Sequence, residues 1–290
     1  MATPVPTLVG NVTADGTGTI TIPNTAPPAV GDLLVAFVGA YQSGGSRTWG
    51  TPATGFSGLE ETTTNSHIIA LYLKVATAGD VAAANFAFTV SSASDVVAGA
   101  LFKVTNFAAT PTGTDSEVDS NASASFTETT NLTPTQIESI IMVLYSNAQN
   151  DSSGGLLSGY ASTPSLTWSE LLDTPNNSGS AAMGFGVAYA NISGLTTITV
   201  RTATSTSTPS ETSSIALIIN GLQNAAGTAA LLVATPVIFA PTAQADTNGT
   251  SVLLEANPVI FAASGDVSNS TQWENTDKPS AGAIVNTDKP

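Results

Sequence analysis

The chain has no cysteine among its 290 residues. That excludes disulfides, thiolate metal centres and cysteine nucleophiles together. Basic residues are nearly as scarce: six Lys and Arg stand against 21 Asp and Glu, for a net charge of −15. No Lys or Arg occurs between Lys103 and Arg201. Binding to a phosphate backbone works through Lys and Arg that release counterions, so no nucleic acid is expected as a partner. An anionic membrane surface is disfavoured for the same reason. The acidity reads as a source of solubility. His67 is the single histidine, so no His cluster can hold zinc or iron. No apolar run approaches the ~20 residues needed to span a bilayer. The stretch Met1-Ala2-Thr3-Pro4-Val5-Pro6 lacks the basic start and apolar core of a signal peptide. We therefore expect a protein made in the cytoplasm and used without Sec-type export, with no membrane partner.

What is abundant points to strands. Thr, Val and Ile suit strands, and Gly, Pro, Asn and Ser suit turns, so the balance favours an all-β protein. The centre of the pattern is Asp32-Leu33-Leu34-Val35-Ala36-Phe37-Val38, an unbroken apolar run between Pro27-Pro28 and Ser43-Gly44-Gly45-Ser46. A short run of this kind, bounded by turn residues, predicts a strand buried on both faces. Thr17–Ile22 predicts a first short strand. Gln42–Gly58 predicts an exposed loop with Arg47, Trp49 and Phe56 as anchors. Ile69, Leu71, Leu73 and Val75 alternate with Ala70, Tyr72 and Lys74, and Phe86, Phe88 and Val90 alternate with Ala87 and Thr89. Both are period-two strands. Val96–Val104 is a further apolar run.

The same order recurs. Ile140–Tyr145 matches the opening run, and each run is followed at the same distance by a glutamine, Gln42 or Gln149. Trp168-Ser169-Glu170-Leu171 parallels Phe56-Ser57-Gly58-Leu59. Met183, Phe185, Val187 and Tyr189 parallel residues 69–75, and Ile215–Ile219 parallels residues 96–104. The reading is a tandem duplication with four main strands per half: residues 1–112 and residues 113–225. Neither half closes easily alone, because each would expose a sheet face. Two packed halves of about eight strands make a jelly-roll-like β-sandwich; two successive Ig-like sandwiches are the alternative.

Residues 226–290 have a different character. Gly227–Ala240 is echoed by Gly249–Ala262, with Pro236-Val237-Ile238-Phe239-Ala240 repeated as Pro258-Val259-Ile260-Phe261-Ala262. Asn275-Thr276-Asp277-Lys278-Pro279 recurs as Asn286-Thr287-Asp288-Lys289-Pro290. Such units are too short to build their own core and gain stability by stacking or pairing. Val237, Ile238, Phe239, Val259, Ile260 and Phe261 are therefore candidate interaction residues, in an extended arm ordered by neighbouring subunits.

Catalytic signatures are missing. No Gly-x-Ser-x-Gly elbow accompanies His67, which is expected at the surface or at a strand edge. Gly44-Gly45-Ser46 and Gly154-Gly155 lack the Gly-Lys-Ser/Thr ending of a phosphate loop. Asp115, Glu117 and Asp119 lack the glycine and closing glutamate of a calcium loop and read as a solvated acidic linker between the halves. Glu60-Glu61 is a poor glycosidase pair, because neighbours on a strand face opposite ways. No catalytic, metal or cofactor site is expected. Trp49, Phe56, Tyr160 and Trp168 fall on the long loops of the two halves. Trp49 and Trp168 could stack on sugar rings, so host-surface glycans are candidate ligands, or they could anchor the loops to the core.

The pattern Val30-Gly31-Asp32-Leu33-Leu34-Val35-Ala36-Phe37-Val38, a Trp/Gly/Pro loop, then Leu71-Tyr72-Leu73-Lys74-Val75-Ala76, resembles a family of tailed-bacteriophage virion proteins. Trp168-Ser169-Glu170-Leu171 and the strand before Ile215-Ala216-Leu217 fit the same pattern, so the likeness covers about residues 7–222. The resemblance implies a non-enzymatic β-sandwich on a particle surface, as capsid decoration, cement or fibre protein. Its partners would be other virion proteins and copies of itself, a trimer among the forms such surface pieces take. A glycan-binding adhesin of a tail fibre or bacterial surface is the competing expectation.

Overall fold

The structure, a computed structural model, describes residues 2–63, 66–108, 114–119, 124–149, 155–178 and 181–222. The arm at 226–290, with its Val-Ile-Phe repeats, lies outside the described residues. The described residues form an all-β sandwich. The first half comprises β1 (Val5–Pro23), β2 (Leu33–Tyr41), β3 (Ser57–Thr63), β4 (His67–Val75), the one-turn helix α1 (Ala78–Ala82) and β5 (Asn85–Thr105). The second comprises β6 (Thr114–Asp119), β7 (Ser125–Glu128), β8 (Glu138–Gln149), β9 (Leu157–Thr163), β10 (Trp168–Ser178), β11 (Ala181–Ser193), β12 (Val200–Ser205) and β13 (Glu211–Asn220).

Two five-stranded antiparallel sheets form the centre, in the orders β1-β5-β2-β4-β3 and β10-β11-β8-β13-β6. The second order, read backwards, is the first with β6, β13, β8, β11 and β10 replacing β1, β5, β2, β4 and β3. The duplication seen in the side-chain pattern is thus a duplication of topology. Across the sandwich β2 faces β8, β4 faces β13, β5 faces β11, β1 faces β10 and β3 faces β6. This reversed order, with β2 and β8 running the same way, is a pseudo-two-fold axis parallel to the strands.

The two apolar runs sit at that axis and divide their side chains between cores. Leu33, Val35 and Phe37 join Ile140, Met142 and Leu144 in the central core between the sheets. Leu34, Ala36 and Val38 point outward into a second core, where Ile20, Ile22, Phe86 and Phe88 cover them. Ile141, Val143 and Tyr145 point into a third core under Phe126, Leu157 and Ala203. Every residue of β2 is buried, which explains why its sequence is continuously apolar instead of alternating.

Each half therefore closes a second layer of its own, contrary to the expectation that neither closes easily alone. In the first half β1 and β5 are long enough to bend over the sheet, so that Ile20 and Ile22 pair with Phe88 and Phe86 on its outer side. The expected short strand at Thr17–Ile22 is the last third of β1. In the second half the outer layer is a separate sheet, β7-β12-β9. Among the described residues the result is thirteen strands in four layers, not eight in two. Of the outer strands, β7 and β9 give no sequence signal because they are short and Ser/Thr-rich. Two other expectations are corrected. Asp115, Glu117 and Asp119 lie on β6, an edge strand paired with β13, rather than in a linker. Tyr160 and Trp168 lie on β9 and at the start of β10 rather than in loops.

Candidate functional site

Among the described residues, the buried side chains His67, Arg201, Glu128 and Asp80 fall in three internal clusters. The first surrounds His67. The sequence suggests the surface or a strand edge for this residue; it does stand at the start of a strand, but it is completely buried. It opens β4, paired with Tyr41 of β2, whose ring meets it edge-on at 6.3 Å. Its Nε2 lies 2.9 Å from Ser146 Oγ of β8 and its Nδ1 lies 3.4 Å from Ser213 Oγ of β13. The Ser146 hydroxyl donates to the Gly184 carbonyl at 3.0 Å. Its proton is thus engaged, which assigns the imidazole N–H to Nε2 and leaves Nδ1 to accept from Ser213. Burial lowers the ring to about 4, against a partial upward pull from the Glu211 carboxylate. Ser66 donates to Glu211 beside it. A neutral, enclosed imidazole that bonds to two strands of the opposite half clamps the halves together. It has no face for a substrate.

The second cluster pins the outer sheet of the second half. Arg201 of β12 is fully buried and meets Glu128 of β7 through Nε at 2.7 Å and Nη2 at 2.6 Å; Nη1 donates to the Thr130 carbonyl at 2.9 Å. Buried charges require this kind of pairing. Arg201 shares its inward face with Ala203, and that alternation in Val200-Arg201-Thr202-Ala203 is the sequence signal that could have found it.

The third cluster lies where α1 meets the sheet. Lys74 Nζ pairs with Asp80 at 2.6 Å, donates to the Thr54 carbonyl at 2.7 Å and lies 5.7 Å from the Phe56 ring centre. Burial by itself pushes the Asp80 carboxyl up, but bonds from Lys74 and from the Thr77 N–H and hydroxyl outweigh it and hold the group below its ordinary value. This ion pair forms part of the wall of a groove of about 630 Å³, which is otherwise lined by Thr51, Pro52, Thr77, Asn85, Ala87 and neighbouring residues.

Trp49 and Trp168 are not brought together. Trp49 packs on the outer core of the first half, its indole N–H donating to the Ile69 carbonyl at 3.3 Å and its ring edge-on to Tyr72. Trp168 packs on the outer core of the second half, its N–H donating to Ser162 Oγ at 3.3 Å, with Tyr160 at 6.4 Å. The two outer cores are separated by both five-stranded sheets. Each indole is half-buried and anchors its segment. Near Trp168, Asp173 accepts from the Leu157 N–H at 3.0 Å. Its other oxygen and the Tyr160 hydroxyl are buried without a hydrogen-bond partner among the described residues. Burial raises the Asp173 carboxyl to about 6; the Leu157 N–H opposes this and Glu170 adds to it. In the first half the Tyr72 hydroxyl finds Glu61 at 3.2 Å.

The six Val, Ile and Phe residues of the repeats lie outside the described residues. Among the described residues no group of three or more His, Asp or Glu converges as a metal site, and no helix is long and apolar enough to cross a membrane. Compared with protein-family models, curated proteins and solved structures, the chain finds no match.

Proposed function

We propose that this chain is a non-enzymatic structural component of a tailed-phage virion, exposed on the particle as a decoration or fibre protein, with residues 226–290 attaching it to neighbouring subunits. The observation that carries this reading is where the reactive side chains go. His67, Arg201 with Glu128, and Lys74 with Asp80 are all committed to holding layers together. A framework that turns its chemistry inward and continues into near-identical apolar repeats suits assembly better than turnover. The resemblance over residues 7–222 supports the same reading. The experiment is to mix purified parent protein with particles lacking it, and to repeat this with a chain ending at residue 225. Retention of the parent and loss of the truncated chain, with its cooperative melt intact, is expected. Equal retention of both overturns the arm's role; retention of neither overturns the virion reading.

One observation favours a second reading, a glycan-binding adhesin. The groove beside α1 is walled by threonine hydroxyls and by an ion pair that satisfies itself. Neutral polar walls of this kind suit an uncharged sugar more than an ionic ligand. A glycan array read with parent, Thr51→Trp and Trp49→Ala proteins tests it, and an empty array for the parent rejects it.

A further inference from the structure

The two ends of the sandwich differ in chemistry. One end gathers the start of β2, the end of β4, the start of β8 and the end of β11. Among the described residues, most of the large apolar side chains that remain exposed lie there. Val30 is 66% exposed in the turn before β2, and Val75 closes β4 beside it. Leu195 is 57% exposed after β11, and Ile137 precedes β8, its carbonyl accepting from the Gly194 N–H. The pseudo-two-fold axis relates these two pairs, so each half contributes one. Val5 and Leu222 are exposed at the same end, where Leu222 pairs with Ala2. Carboxylates there are engaged internally: Asp32 accepts from the Ala29 N–H and Glu138 from the Thr3 hydroxyl. The opposite end carries Gln42, Ser43, Gly44 and Arg47 in the loop after β2 and Asp95 on β5, with Ser43 and Arg47 bonded across to residues 93–95.

We infer that the apolar end, centred on Val30, Val75, Ile137 and Leu195, is a contact surface for a second copy of this chain, the two copies meeting end to end. Two observations select that occupant. The patch repeats itself about the pseudo-two-fold axis, so the pair from one half of one copy can meet the pair from either half of another, which is the self-complementarity a symmetric homo-oligomer requires. The described residues also end in this patch, at Leu222, with 68 residues of the chain, 223–290, continuing from it. Single exposed apolar residues need no explanation, but their concentration at one end does. The inference rests on the proposed role in an assembly and names the surface that role uses.

The test uses the full chain. Light scattering after size-exclusion chromatography should give the parent a mass that is a multiple of 29.1 kDa. Val30→Glu with Leu195→Glu should return it to 29.1 kDa with an unchanged melting temperature. Leu156→Glu, toward the polar end, should leave the multimer intact. If Val30→Glu with Leu195→Glu melts early, Val30→Ser with Leu195→Ser replaces it and should weaken association at least tenfold. A monomeric parent, a multimer that survives both double variants, or equal disruption by Leu156→Glu each overturns the contact. Particle retention is scored separately: a monomeric parent that particles still retain overturns the end-to-end contact alone, whereas a multimer that particles ignore supports the contact and counts against the virion role.

Discussion

The two halves share a strand order but hold their outer layers down differently. The first half uses continuous strands. β1 and β5 bend back over their own sheet, and the bend depends on close approach: a Cβ on Gly99 would lie 2.6 Å from the Ile20 side chain. Gly16, with φ +62, supplies the left-handed backbone where β1 turns. The second half breaks the equivalent strands into β6 and β7, and into β12 and β13. It loses the tether of a continuous chain and gains an interior ion pair, Arg201 with Glu128. The comparison teaches that one topology can be stabilised by chain continuity or by a specific polar link. The two are distinguishable by what breaks them.

The largest expected effect falls in the second half. Arg201→Met leaves the Glu128 carboxylate buried without its cation and should cost about 3–5 kcal/mol in urea unfolding. Adding Glu128→Leu should recover most of that loss. If the single substitution is neutral, the ion pair does not hold the outer sheet.

The next effect comes from His67, which joins the halves. Its ring titrates at about 4 in the folded protein against 6.5 in the unfolded chain, so the unfolded chain takes up the proton first as pH falls. Stability present above pH 6.5 should be lost down to pH 4, by about 3 kcal/mol at most. His67→Gln should flatten that part of the profile. Asp173 works in the opposite sense. Its carboxyl is raised to about 6, so its contribution is present at low pH and lost as pH rises through 6. Asp173→Asn should therefore stabilise the protein at pH 7, and a lower melting temperature there would contradict the assignment.

In the first half, Gly99→Val forces a side chain into Ile20 and should cost roughly 1–3 kcal/mol. Smallest of all, Lys74→Ala should cost about 1 kcal/mol, because the Thr77 N–H and hydroxyl still satisfy the Asp80 carboxylate when the cation is gone. A melt showing Lys74→Ala as damaging as Arg201→Met would erase the contrast between the halves.

Much of this architecture is legible in the residues. The runs at 33–38 and 140–145 declare strands covered on both faces, and their recurrence declares a duplication. The alternations at 69–75, 86–90 and 183–189 place strands in correct order. Val5–Ala14 was not legible, because its pairing with β5 is secured by a distant partner and not by its own period. Short Ser/Thr-rich strands such as β7 and β9 carry too little apolar signal to stand out. The clusters around His67 and Arg201 were hidden for a related reason: a polar residue looks exposed until its partners, many residues away, are brought to it.

The sequence by itself determined that the chain is all-β, which runs are interior, and that its second half repeats its first. Period-two patterning and turn residues are local, and they carry that information locally. Tertiary structure alone decided which face of each strand meets which layer. It also decided that each half covers its own sheet, that His67 lies between the halves, and that the exposed apolar residues collect at one end. Those outcomes depend on contacts between residues far apart in the chain, and no local pattern encodes them.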